Sequence, residues 1–157
     1  MTMKQIPLNG KYGKGKFALV DDEDYEELMQ HKWIMQKRGY IINRSTRDTI
    51  YLHRFILKPN KGLVIDHVNH DKLDNQKINL RACSQGQNMA NRKTNKVGSS
   101  KFKGVSFNKT TNKWYSKIQF NYKQFNLGYF DTELEAAQAY NAKALELFGG
   151  FAHLNKI

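Results

Sequence analysis

VIDHVNHDKLDNQKINLRACSQGQNMANR, Val64 to Arg92, is the stretch on which the reading of this chain turns. It sets Asp66 beside His67, scatters Asn69, Asn75, Asn79, Asn88 and Asn91 behind them, and carries the single cysteine, Cys83. Asparagine is a poor residue for helix and strand interiors. Such a run marks either one long turn or amides with chemical work. LVIDHV (Leu63–Val68) reads as a strand, NHDKLDNQ as a polar loop and KINLRAC (Lys77–Cys83) as a second, alternating strand. Ser84 and Gln87 then form an S-x-x-Q capping box at the start of a short helix. The order is strand, loop, strand, helix.

Towards the N-terminus, KFALV (Lys16–Val20) reads as a strand and DDEDYEELMQ (Asp21–Gln30) as a helix whose acids crowd its first turn, where the helix dipole favours them. HKWIMQKRGYIINR (His31–Arg44) and TIYLHRFIL (Thr49–Leu57) are rich in Ile, Tyr, Phe and Trp and read as paired strands. This part is expected to be a small α+β scaffold. Towards the C-terminus, KTNKVGSS (Lys93–Ser100) is a linker by composition. Beyond it KGVSF (Lys103–Phe107), KWYSKIQF (Lys113–Phe120) and KQFNLGYF (Lys123–Phe130) are three short strands joined by KTTN and NY turns. Trp114, Ser116, Ile118 and Phe120 share one face of the middle strand, and Tyr115, Lys117 and Gln119 the other. Thr132–Phe148 is a helix with a second capping box, Thr132 and Glu135, and Gly149 and Gly150 stop it.

The chain of 157 residues carries 26 Lys and Arg against 14 Asp and Glu, a net charge of +12. From Asn75 to Phe130 there is no acid and there are eleven Lys or Arg. Solvated surfaces mix signs, so a one-sided stretch interleaved with aromatics points to a polyanion. The bland alternative is solubility. No apolar run reaches the roughly 20 residues of a membrane span, and MTMKQIPLNG shows no apolar run resembling a signal peptide. One cysteine excludes an intrachain disulfide and a multi-cysteine zinc site. A cytoplasmic location, in a bacterial or phage-infected cell, is the expectation, as a monomer with no membrane and no obligate protein partner.

Phosphodiester cleavage needs a base to take a proton from water, a cation to neutralise charge at phosphorus, and a group that orients the base. Asp66 and His67 offer a hard oxygen ligand beside an imidazole, and Asn88 offers a second oxygen. Carboxylate plus amide carbonyl suits one Mg²⁺ or Mn²⁺. The same residues fit a bland reading, with Asp66 a surface acid and His67 a packing residue. Neighbours in a regular strand point to opposite faces, so catalysis requires a strand end or distortion at this pair. His53 is expected to pack, His70 to lie in a loop and Cys83 to be a small buried residue.

The stretch resembles the HNH nuclease motif of phage and intron-type homing endonucleases: Asp66–His67 as the His-containing dipeptide, Asn79 in "NL" and Asn88 in "QNM", with LHRFIL (Leu52–Leu57) leading in. The resemblance implies a ββα-metal unit over about residues 63–92. It makes His67 the general base, gives the metal to Asp66 and Asn88, and uses Asn79 to tie the loop and orient the base. Asn88 stands where the family's name-giving final His would be. Ser99–Asn155 resembles the APETALA2/ethylene-response-factor DNA-binding domain, through SSKFKGVSF, KW, LGYFDTELEAAQAYNAKALELFG and FAHLN in family order. The plant domains bring several Arg and a Trp to DNA, whereas this sheet face offers polar and amide side chains.

The resulting expectation is an α+β chain in three parts. A scaffold plus nuclease unit covers residues 1–92, a basic linker 93–100, and a three-stranded antiparallel sheet packed on one helix 101–157. The expected function is site-specific, metal-assisted cleavage of duplex DNA, as a homing-type nicking enzyme. The alternative is a DNA-binding regulator with an inactive HNH unit, and RNA binding is a third possibility. The expected DNA contacts are Arg92, Lys93 and Lys96 in and beside the linker, Lys103, and the sheet face of Ser106, Asn108, Tyr115, Lys117, Gln119, Gln124 and Asn126.

Overall fold

The structure is a computed structural model and describes residues 2–44, 48–92 and 98–157. The expected contacts Lys93 and Lys96 lie outside the described residues. By internal contacts the chain divides into two units, Met1–Ser84 and Gln85–Ile157.

The first unit opens on a strand the sequence reading did not name, β1 (Met3–Pro7), antiparallel to β2 (Phe17–Asp21). Helix α1 (Asp22–Met29) begins directly after β2, with Asp22, Glu23 and Asp24 in its first turn. Three short strands, β3 (Ile34–Met35), β4 (Ile41–Asn43) and β5 (Ile50–Tyr51), form an antiparallel sheet with β4 in the middle. Ile6, Leu8, Ala18, Val20, Leu28, Trp33, Ile41 and Leu52 make one buried cluster. The Trp33 indole N–H is satisfied by the Leu28 carbonyl at 2.9 Å.

Where TIYLHRFIL reads as a strand, only its start is one. After Tyr51 the chain turns into helix α2 (Leu52–Leu57). Leu52, Phe55 and Ile56 follow helical spacing and all three meet the core. Core burial therefore outweighs the β preference of the Ile, Tyr and Phe content. Lys58 closes the helix in the left-handed region (φ 45°), and the following Pro59 bars continuation. The unit ends in a hairpin, β6 (Val64–His67) against β7 (Leu80–Cys83). Lys77–Asn79, read as the start of the second strand, is a 3-10 turn instead. The Lys77 backbone N–H donates to the Asp21 carboxylate at 2.7 Å rather than to a strand neighbour.

The second unit starts with α3 (Gln85–Ala90). Its sheet consists of β8 (Val105–Asn108), β9 (Lys113–Phe120) and β10 (Lys123–Phe130), antiparallel with β9 central. Helix α4 (Glu133–Phe148) carries the expected capping box between Thr132 and Glu135. It lies on the face formed by Trp114, Ser116, Ile118 and Phe120. Ala136 and Ala137 cluster with Phe102 and Val105, backed by Trp114. Tyr140, Ala144 and Phe148 cluster with Ile118 and with Ala90 of α3. The small alanines permit that close approach. Gly104 (φ 77°) is required: a Cβ there would run into the Tyr140 ring and the Lys117 carbonyl. A tail pairing, Asn141 with Asn155 in both directions (2.9 and 2.7 Å), pins the C-terminal segment to α4. Within this unit α3, expected to complete a ββα nuclease unit, packs on α4 and on the turn Gly149–Phe151.

Candidate active site

Asp66 and His67 are the last two residues of β6, and both are buried, each 6% exposed. β6 ends at His67, at the mouth of loop 68–79, where the Val68 N–H still donates to the Asn79 carbonyl at 2.9 Å. That loop is built by its own amides. The Asn69 backbone N–H donates to Asn79 Oδ1 at 2.9 Å, and Asn79 Nδ2 donates to the Asp74 carbonyl at 2.7 Å. Asn69 Nδ2 reaches the Asp74 carboxylate at 2.8 Å. Asn79 therefore joins the two ends of the loop, as a buried amide can with one acceptor and two donors.

The loop is also tied to the scaffold. The Leu19 N–H donates to the Leu73 carbonyl, and the Asn75 N–H to the Leu19 carbonyl, both at 2.8 Å. Lys77 Nζ meets Glu23 and, at 2.9 Å, Asp24, which raises its pKa. The acidic cluster at the start of α1 thus does more than suit the helix dipole: it clamps the loop behind the histidine.

The His67 ring is held from two sides. Its Nε2 lies 3.4 Å from Asn75 Oδ1, and Asn75 is itself buried, with Nδ2 donating to the Lys72 carbonyl at 3.0 Å. The His53 ring meets it edge-on, with centroids 5.4 Å apart. His53 packs in turn against Tyr40 and Tyr51, so the packing role expected of it is observed. Burial pushes His67 below the usual imidazole range, while the Asn75 contact and the Asp66 charge act the other way. Burial, then the neighbouring His67, pushes His53 down to about 4.

Asp66 has a partner that sequence reading missed. Arg81 stands opposite it in the hairpin register, and two of its nitrogens, Nε at 2.9 Å and one terminal nitrogen at 2.8 Å, both donate to Asp66 Oδ2. An opposite-charge cross-strand pair is a recognisable signal, but the intervening loop hides which residues face each other. The Cys83 thiol is buried, as expected, and its pKa is raised.

Among the described residues no three His, Cys, Asp or Glu side chains gather closely enough to cage an ion. Hard divalent cations take carboxylate oxygens together with waters and phosphate, and Asp66 offers one buried carboxylate of that chemistry. Asn88 is half-buried on α3, in the second unit.

Of the expected DNA contacts, Tyr115, Lys117 and Gln119 on β9 stand opposite Tyr129, Asn126 and Gln124 on β10, and Ser106 opposite Tyr115. Lys117, Gln119, Gln124 and Asn126 are exposed. Tyr115 and Tyr129 rings lie 5.0 Å apart. Asn126 Oδ1 accepts from the Tyr115 hydroxyl and from Gln124 Nε2. Asn108 spends its carbonyl on the following turn, accepting from the Thr110 and Thr111 N–H groups. Arg92 is exposed and touches the Met89 sulfur. Lys103 is half-buried and donates to the Ala90 carbonyl, and burial, then Arg92, pushes its pKa down to about 8.

The family model described as HNH endonuclease matches residues 58–90, which hold the hairpin, its loop and α3. An uncharacterized HNH endonuclease, L560 of Acanthamoeba polyphaga mimivirus, is 36% identical over 151 residues, covering 92% of this chain and 78% of that protein. This chain belongs to the HNH endonuclease family. Protein 3.8 of Escherichia phage T7 is 34% identical to this HNH family member over 92 residues, covering 59% of this chain and 75% of that protein. No solved structure matches it. Nucleases of the HNH family generally depend on a divalent metal. Among the described residues, no helix of this HNH endonuclease is long and apolar enough to cross a membrane.

Proposed function

We propose that the chain cleaves phosphodiester bonds of duplex DNA by metal-assisted hydrolysis, as a homing-type nicking enzyme. The observation that carries this reading is the buried pair Asp66 and His67 at the end of β6, with an amide-built loop locked behind it. His67 takes the proton from the attacking water, and its depressed pKa keeps a neutral, proton-accepting ring at neutral pH. Asn79 holds the loop that presents the ring, and Asn75 and His53 restrict its rotation. Asp66 is the carboxylate that would hold Mg²⁺ or Mn²⁺, with Asn88 assigned as second ligand by the family pattern. The bound ion would supply charge stabilisation at the phosphate and the leaving oxygen.

The second unit, on this reading, holds the duplex. Its sheet face presents Lys117, Gln119, Gln124 and Asn126 with no carboxylate among them, and a β-sheet of this kind can lie in the major groove, where amides pair with adenine and Lys with guanine or phosphate. The likeness to APETALA2 domains supports the same use. One motif per chain implies one cut per bound chain.

A second reading, a DNA-binding regulator with an inactive HNH unit, is favoured by one observation: Arg81 already neutralises Asp66. Relaxation of supercoiled plasmid with Mg²⁺ or Mn²⁺ separates the two. Nicked circles from the wild type but not from His67→Ala are the expected result. If neither protein nicks while both still shift duplex DNA, the regulator reading replaces the nuclease.

A further inference from the structure

We infer that Arg81 is a resident cation that makes divalent-metal binding at Asp66 conditional on a DNA phosphate. This rests on the metal-assisted reading of the Asp66 site and adds a regulation to it. The argument begins with geometry. The hairpin register sets Asp66 against Arg81, flanked by the pairs Ile65–Ala82 and His67–Leu80. Two donors from Arg81 converge on one carboxylate oxygen, Oδ2. The carboxylate side chain is 8% exposed and the guanidinium side chain 21%. Such a pair is little screened by salt, and its charges cancel before any other cation arrives.

A divalent ion approaching Asp66 in the free protein therefore meets a carboxylate that is already neutralised, with a fixed positive charge beside it. Repulsion from that charge opposes binding, and the low local dielectric strengthens the repulsion. A phosphate changes the balance. It gives the guanidinium a second anion, for which the planar fork of Arg is suited. It also gives the metal further oxygen ligands, which Mg²⁺ and Mn²⁺ sites commonly use. Metal and DNA then bind more tightly together than apart. By linkage each raises the affinity of the other by the same factor. The ion is thereby recruited where substrate is present, and the DNA-free enzyme is left largely metal-free.

The test is a Mn²⁺ titration of the full chain without DNA, read by the electron paramagnetic resonance signal of free Mn²⁺. Arg81→Gln keeps length and a hydrogen-bond donor but removes the charge. It should bind Mn²⁺ about tenfold more tightly than wild type, within the usual range of such couplings. The gain should vanish when Asp66→Asn is added. Arg81→Lys keeps the charge without the fork, so its affinity should stay within about twofold of wild type. If Arg81→Gln binds no better than wild type, or if Arg81→Lys gains as much as Arg81→Gln, Arg81 is a hairpin brace and the inference is overturned. Should Arg81→Gln fail to fold, as read by circular dichroism, the Arg81→Lys arm decides alone: a tenfold gain in affinity refutes the charge argument. The outcome is separable from the nuclease reading. Absence of nicking in the plasmid assay would sink that reading, whereas the Mn²⁺ titration reports on Arg81 without any cleavage.

Discussion

Asn75 and His67, eight positions apart, meet in the interior: Asn75 Oδ1 lies 3.4 Å from His67 Nε2 and both residues are buried. The central asparagine of the motif, Asn79, was expected both to tie the loop and to orient the ring. In the structure Asn79 bonds to Asn69 and Asp74 within the loop, and Asn75 lies against the ring. Asn75→Ala removes that contact, the bond to the Lys72 carbonyl and a fully buried amide. It should cost the first unit about 2 kcal/mol and lower the nicking rate more than Asn69→Ala does. Thermal unfolding and plasmid nicking measured on both variants check the order.

Acid should unfold the first unit before the second. His53 titrates at about 4 in the folded chain against 6.5 unfolded, so the unfolded state takes up the proton first as pH falls. The stability contribution is complete above about pH 6.5, falls between 6.5 and 4, and is gone below. At about 1.4 kcal/mol for each pH unit the loss reaches about 3 kcal/mol. The depression of His67 has the same sign. His53→Phe keeps a ring in the Tyr40, Tyr51 and His67 contact. Its denaturant midpoint should vary less over this interval than that of wild type. An identical pH dependence in both would remove His53 as the cause.

Two substitutions under α4 should move stability in opposite directions. Ser116 is fully buried and its hydroxyl has no hydrogen-bond partner among the described residues. Ser116→Ala should raise the stability of the second unit by about 1 kcal/mol by removing that stranded group. Gly104→Ala should lower it. The left-handed backbone costs roughly 1–2 kcal/mol, and the collision with Tyr140 and the Lys117 carbonyl roughly another 1–3 kcal/mol. Calorimetry of the full chain, following the transition of the second unit, measures both.

Lys117 is exposed on the sheet face opposite Asn126. If it contacts phosphate, Lys117→Ala should weaken duplex binding and reduce the slope of log K against log salt by about 0.9. Gln119→Ala should leave that slope in place. Fluorescence anisotropy at four or five salt concentrations reads it, and an unchanged slope in Lys117→Ala removes this side chain from the phosphate contacts.

The sequence by itself determined what depends on neighbours a few residues apart. The alternation of Trp114, Ser116, Ile118 and Phe120 with Tyr115, Lys117 and Gln119 has a period of two. The Thr132–Glu135 box and the alanine stripe of α4 have the helical period. Both β9 and β10 and the start of α4 were legible for that reason. The motif residues Asp66, His67, Asn79 and Asn88 were visible as a pattern of types and spacings.

Only the tertiary structure decided which of them touch. Loop 68–79 separates Asp66 from Arg81, and nothing local states the register that sets one against the other. The same holds for the clamp of Asp21, Glu23 and Asp24 on residue 77, which spans more than fifty positions. Helix α2 took its form from the core cluster it had to cover, against the β preference of its own residues. A cross-strand salt bridge, a buried amide against an imidazole and a helix chosen by burial all depend on distant parts of the chain arriving together. Periodicity and capping depend only on the backbone's own geometry.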